Sequence, residues 1–153
     1  MTRVDENGAP IELDDAARGR LAAALDREPV IAAMLIGSQA RGTQGPLSDV
    51  DLAVWLDPAL TVDERLRVRL ELIAAAVDVL RSEAVDVAVL NDAPPLMKHR
   101  AIGDGLRLVE RDAQSRLRLE VDALIEYLDT QPLRDELERG VRNRLAEGRF
   151  GRS

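Results

Sequence analysis

Residues 49–56 alternate without a break. An extended strand there sets Val50, Leu52, Val54 and Leu56 on one face and Asp49, Asp51, Ala53 and Trp55 on the other. Three further segments have strand character. Residues 30–36 form an almost continuous apolar run bounded by Pro29 and Gly37, which suits a strand buried on both faces. Residues 85–90 place Val85, Val87 and Val89 opposite Asp86, Ala88 and Leu90, and residues 106–109 can add an edge strand.

Helical patterns separate these strands. In residues 14–26, Asp14 or Asp15 sits near the N-cap, and Ala17, Leu21 and Leu25 share one stripe. Residues before it read as a frayed arm. The clearest helix spans residues 61–81: Thr61 with Glu64 three residues on makes a capping box, and Leu66, Leu70, Ile73, Val77 and Leu80 form the expected buried stripe. Arg67, Glu71, Asp78 and Arg81 are left to solvent. A turn at 91–95 opens a short helix that ends near Ile102. A second long helix over 112–129 is expected to bury Leu117, Val121, Leu124 and Leu128 and to stop at Pro132. The tail from Arg134 to Arg152 carries six Arg against Asp135, Glu136, Glu138 and Glu147, and reads either as a last amphipathic helix that docks on a partner or as a solvated tail. The expectation is an α/β (α+β) fold: a small mixed β-sheet flanked by helices, one domain over 1–153 with its core at about 14–112 and C-terminal helices over 112–148. A chain of this size would bury roughly 70% of its unfolded surface.

Composition narrows the partners. The aromatic residues are Trp55, Tyr127 and Phe150 alone, and the formal charge is −7. Stacking platforms and positive charge are both missing, so a large nucleic-acid surface is not expected. Absence of cysteine excludes disulfides, thiolate metal sites and a Cys nucleophile, and the lone His99 argues against a His-based zinc site. No apolar run approaches the ~20 residues of a membrane span, and the acidic first residues do not resemble a secretory signal, so no membrane and a cytoplasmic location are expected.

The chemistry concentrates around the alternating strand. Asp49 and Asp51 on one side of a strand have Cα atoms roughly 6–7 Å apart, close enough to share a cation. Without positive charge between them such acids repel, and magnesium is a hard ion suited to one or two carboxylates plus phosphates. The bland alternative is a pair of solvent-facing acids. Asp86 is the polar exception in an apolar strand and needs a partner: either it joins Asp49 and Asp51 around one or two metal ions, or it pairs with an Arg such as Arg41 or Arg107. Gly37-Ser38 follows a buried strand and precedes Gln39-Ala40-Arg41, a plausible first helical turn whose free N–H groups would cradle a phosphate.

Gly37-Ser38, ten residues, then Asp49-Val50-Asp51 resembles the GSx10DxD signature of the DNA polymerase beta superfamily of nucleotidyltransferases. The fuller string GSQARGTQGPLSDVDLAV is similar to the minimal nucleotidyltransferase (MNT) subfamily, in which GSxARG and SDxDL are typical; Asp86 stands where the third carboxylate is expected. The resemblance covers about residues 30–112. It implies ATP as donor and two Mg²⁺ ions held by Asp49, Asp51 and Asp86, with Gly37 and Ser38 on the donor phosphates. Asp86 would serve as a metal ligand or meet the attacking hydroxyl. Arg41 would assist a phosphate or fix the loop by a salt bridge. Antitoxins of this subfamily pair with HEPN ribonuclease toxins and silence them by transferring AMP to a tyrosine, so the implied partner is a HEPN-type toxin. Two other readings stay open: an antitoxin that acts by stoichiometric occlusion, and an adenylyltransferase of the aminoglycoside-modifying type. Of the remaining residues, His99 reads as a surface side chain and Trp55 as packing under a helix or flanking the adenine. Tyr127 is a conceivable self-modification site.

Overall fold

A computed structural model describes residues 13–37 and 50–148. The described elements are α1 (Asp15–Leu25), β1 (Val30–Ile36), β2 (Val50–Leu56), α2 (Val62–Leu80), β3 (Val85–Val89), a 3₁₀ turn (Leu90–Asp92), α3 (Pro95–Asp104), β4 (Leu106–Glu110) and α4 (Ala113–Ala146). The strands form one mixed sheet in the order β3-β2-β1-β4. β1 runs antiparallel to both β2 and β4, while β2 and β3 are parallel.

Alternation along the strands produces two apolar layers. Leu35, Leu52, Val54 and Val87 face α1 and α2, where Leu21, Leu25, Leu72 and Ala76 meet them. Met34, Ala53 and Trp55 face α3 and α4, against Ala101 and Ala123. β1 and β2 lie in the middle of the sheet and are buried nearly throughout. Beyond the end of β2, the Asn91 side chain accepts from Leu56 N–H at 2.9 Å and donates to Leu56 C=O at 2.9 Å, supplying both bonds that another strand residue would make.

Helix starts follow their capping residues. Asp14 accepts from Ala17 N–H at 2.7 Å, and Ala17, Leu21 and Leu25 form the buried face of α1, as their spacing predicts. The capping box at the start of α2 is complete, with Thr61 and Glu64 bonding each other's backbone N–H. Pro95 opens α3, which runs two residues past the expected Ile102 and is followed by edge strand β4.

Two helix faces differ from the expected ones. In α2 the buried residues are Val68, Leu72, Ala76 and Leu80; Leu66 and Leu70 are 52% and 55% exposed. The buried stripe lies about a quarter turn round the helix from the one that the larger side chains suggest. Small Ala76 lets the helix approach the sheet closely, while side-chain size favours the leucine row in the sequence. In α4, Leu117, Val121, Leu124 and Leu128 are all about half exposed, and Ala123 is the buried residue. Nor does Pro132 end this helix. Thr130 donates to the carbonyls of Glu126 and Tyr127 at 3.1 Å, and Arg134 donates to Tyr127 C=O at 2.8 Å and to the Thr130 hydroxyl. These donors brace the carbonyls just before Leu128 C=O, the one that Pro132 leaves without its N–H, and α4 continues to Ala146 and takes in much of the Arg-rich tail.

Candidate active site

The register of the sheet places the acids. Asp51 on β2 pairs with Ile36 of β1 on one side and with Asp86 of β3 on the other. Directly paired residues of neighbouring strands share a face, so both side chains leave the backbone on the α3/α4 side of the sheet, with Cα atoms one strand spacing, about 4.8 Å, apart. β1 delivers Gly37 to the same end. Its φ of +73° is one that glycine adopts without cost, and a Cβ added there would meet Asp51 Oδ2 at 3.0 Å. Any other residue at 37 would crowd the carboxylate.

Asp86 is held differently from the sequence expectation. It lies on an edge strand and its side chain is 64% exposed, so burial is not what demands a partner. That partner is not Arg107, which sits on β4 at the opposite edge of the sheet and pairs with Glu110 at 3.3 Å; Arg41 lies outside the described residues. Asp86 pairs instead with Arg69 of α2, whose Nη2 donates to Asp86 Oδ1 at 2.8 Å while its Nε donates to Val87 C=O at 2.7 Å. The Val87 N–H also donates to Asp86 Oδ1, at 2.9 Å. One turn earlier, Arg65 forms a two-pronged pair with Asp92 at 2.8 and 2.7 Å and donates to Leu60 C=O at 2.6 Å. The Asp92 carboxylate raises the pKa of Arg65 above its usual value. Both arginines thus project from α2 toward the β3 side of the sheet. No pattern marks Arg69 in the sequence, because which strand forms the sheet edge is a property of topology alone.

Beside Gly37, a cleft of about 380 Å³ opens between the end of β1 and α3, lined by Ile36, Pro94, Leu96, Met97, Arg100 and Asp104. Its walls are mostly apolar, with charged groups from α3, a lining that suits a flat ring carrying polar edges. Trp55 is 2% exposed and packs under α4, so it is a core residue rather than a wall of this cleft. His99 stacks on Tyr127 with ring centres 3.8 Å apart, and the Arg134 guanidinium lies 3.8 Å from the same ring. That cluster ties α3 to α4.

Ser38, Arg41 and Asp49, and the helical turn expected at 39–41, lie outside the described residues. Among the described residues no three His, Asp or Glu side chains converge on an ion site. The chemistry of the two described acids suits a magnesium ion: both are hard oxygen donors, on residues that pair directly across β2 and β3.

The sequence profile described as "Polymerase beta, Nucleotidyltransferase" matches residues 20–114. The chain belongs to this nucleotidyltransferase family. No curated protein shows significant sequence similarity to it. Among solved structures it is similar to a toxin-antitoxin crystallised with AMP-PNP, with a TM-score of 0.66 and 24% identity over 81% of this chain and 97% of that one. A second is the toxin-antitoxin MntA-HepT, at 0.63 and 20% over 84% and 98%. A third is the tri-AMPylated HEPN toxin of Shewanella oneidensis in complex with its MNT antitoxin, at 0.62 and 20% over 82% and 96%. The nucleotidyltransferase domain therefore shares its fold, a mixed four-stranded sheet with flanking helices, with MNT antitoxins of toxin-antitoxin complexes. No helix among the described residues is long and apolar enough to cross a membrane.

Proposed function

We propose that this nucleotidyltransferase transfers AMP from ATP to a hydroxyl of a partner protein, a HEPN-type toxin, and neutralises it by that modification. The observation that carries the reading is the row Ile36, Asp51, Asp86 across three strands, with Gly37 set against Asp51. Asp49, one residue before Val50 in the chain, would complete the carboxylate set with Asp51 and Asp86; Ser38 and Arg41, which follow Gly37 in the chain, would meet the donor phosphates. Magnesium bound there would neutralise the phosphates and the charge that builds on the leaving group.

In the transfer the acceptor oxygen attacks the α-phosphorus, the bond to the β-phosphate breaks and pyrophosphate departs. The acceptor proton must leave as the new P–O bond forms. Asp86, 64% exposed at the open edge of the sheet, is the carboxylate that an incoming partner hydroxyl can reach to hand over that proton. The cleft between β1 and α3 offers a berth for a ring, either the adenine of the donor or the aromatic ring of an acceptor tyrosine.

A protein acceptor is favoured by α4. Leu117, Val121, Leu124, Ile125, Leu128, Leu133, Leu137, Val141 and Leu145 are each between 36% and 62% exposed along it. Leu117, Val121, Leu124, Ile125 and Leu128 share one stripe of the helix, and exposed apolar surface of this kind marks an interaction face that a helical toxin partner would cover. The same feature supports the second reading, neutralisation by occlusion alone.

Substituting Asp51 by Asn tests both. Incubated with Mg-ATP and its HEPN-type partner, the wild-type protein should increase the partner's intact mass by AMP, and D51N should not. An equal mass gain with D51N would sink the transfer mechanism. Protection of cells by D51N without any mass gain would instead make binding the function.

A further inference from the structure

We infer that Arg69 is a positioning residue that occupies Asp86 in the cation-free state and must release it when a divalent cation enters, so that it lowers the affinity of the empty site for a cation. The inference rests on the proposed reading of Asp51 and Asp86 as cation ligands.

Two carboxylates in register on neighbouring strands repel each other. Arg69 supplies a positive charge from outside the sheet. It projects from α2, on the face opposite the acids, past the β3 edge, with Nη2 2.8 Å from Asp86 Oδ1 and Nε 2.7 Å from Val87 C=O. The second bond fixes the guanidinium to the strand backbone, so the first is made by an anchored group and not a wandering one. Oδ1 already accepts the Val87 N–H at 2.9 Å, which leaves little room for a cation on that oxygen while Arg69 stays. A guanidinium and a divalent cation on one carboxylate repel each other. The pair is also weak enough to yield: both side chains are well exposed, 35% for Arg69 and 64% for Asp86. A site built this way disfavours a lone cation and accepts one that arrives with the triphosphate, whose oxygens supply further ligands.

Mn²⁺ binding, followed by loss of the free-ion signal in electron paramagnetic resonance, reads this without catalysis. R69Q removes the charge and keeps a donor for Val87 C=O. R69Q should bind Mn²⁺ about 3- to 5-fold more tightly than wild type, the range expected when an exposed ion pair is lost. R69K should stay near wild type. In a D86N background R69Q should have no effect, and adding α,β-methylene ATP should shrink the difference between wild type and R69Q. A purely structural Arg69 would lower the unfolding midpoint in R69Q and leave Mn²⁺ affinity unchanged, which overturns the inference. If D51N abolishes Mn²⁺ binding while R69Q equals wild type, the inference fails and the carboxylate reading survives. Absence of Mn²⁺ binding in wild type, with and without nucleotide, overturns both.

Discussion

Along α2, Val68, Leu72, Ala76 and Leu80 are buried; along α4, which has 34 residues against 19, Ala123 is the one buried residue. Both helices carry more than one apolar row. α2 lies flat on the sheet beside α1 and covers one row completely, leaving Leu66 and Leu70 outside. α4 is held to the domain mainly by polar and ring contacts: Lys98 to Glu126 at 3.3 Å, the His99–Tyr127 stack, and Arg116 to Glu110 at 2.6 Å. Apolar burial fixes the place of α2 within the domain, whereas α4 keeps most of its apolar surface for something outside it. The two helices therefore report on different things, folding in one case and association in the other.

The largest expected effect follows from this contrast. Leu72→Ala empties a fully buried position and should cost about 2–5 kcal/mol in denaturant unfolding. Leu128→Ala removes the same atoms from a side chain that is 54% exposed, and should change the stability of the isolated chain by no more than about 0.5 kcal/mol. Loss of partner binding in Leu128→Ala is the companion result. If the two substitutions cost the same, the outer face of α4 is already covered in the free protein and the contrast breaks.

Pro132 sharpens it further. A proline within a helix costs up to about 3 kcal/mol relative to alanine, because it removes the N–H that would serve Leu128 C=O; Thr130 and Arg134 brace the adjacent Tyr127 carbonyl instead. Pro132→Ala should raise the unfolding midpoint and slow hydrogen exchange around residues 128–136. An unchanged exchange rate would mean that the polar brace already restores α4 in full. No proline stands within α2, so the same measurement there gives the reference.

The same two helices show what the sequence discloses and what it withholds. The strands around Asp51 and Asp86 are legible because alternation assigns side chains to faces by local geometry alone. Capping is local too, and Asp14 and Thr61 act as their side chains suggest. Which stripe of α2 is buried is not local: it depends on the angle at which the helix meets the sheet, and a small Ala76 weighs more there than a large Leu70. The partner of Asp86 is hidden for the same reason, because only the strand order shows that β3 is an edge that α2 can reach past. Pro132 misleads because a proline removes one helix bond, to Leu128 C=O, and the bonds of Thr130 and Arg134 that brace the preceding turn appear only once the helix is formed.

Cap removal comes next in size. Thr61→Ala takes away the hydroxyl that accepts the Glu64 N–H at 3.2 Å and should cost about 1 kcal/mol. Asp112→Ala does the same at the start of α4, where Asp112 accepts the Ser115 N–H at 3.0 Å. If α4 is anchored chiefly by its polar contacts, Asp112→Ala should loosen its first turn in hydrogen exchange while leaving the global midpoint almost unmoved, and Thr61→Ala should lower that midpoint.

Acid gives the smallest and most selective test. The Ser115 hydroxyl, and then its N–H, hold the Asp112 carboxyl below its usual pKa, and the Arg116 guanidinium does the same for Glu110. In α2 the corresponding group is Glu64, lowered by the Thr61 N–H. A carboxyl whose folded pKa lies below its unfolded one contributes its full share of stability above the usual carboxylate range of about 4, and loses that share as pH falls through the folded value. Two lowered carboxyls thus bear on the start of α4, Asp112 and the β4 residue Glu110 that Arg116 grips, against Glu64 at the start of α2, so acid has more to remove from α4. Hydrogen exchange corrected for intrinsic rates should show residues 113–120 losing protection more steeply than residues 62–68 from about pH 6 to about pH 3. Ser115→Ala should flatten the α4 response and leave α2 as it was. Equal slopes for the two helices would mean that apolar contacts hold the first turn of α4 as firmly as that of α2, and would erase the distinction between them.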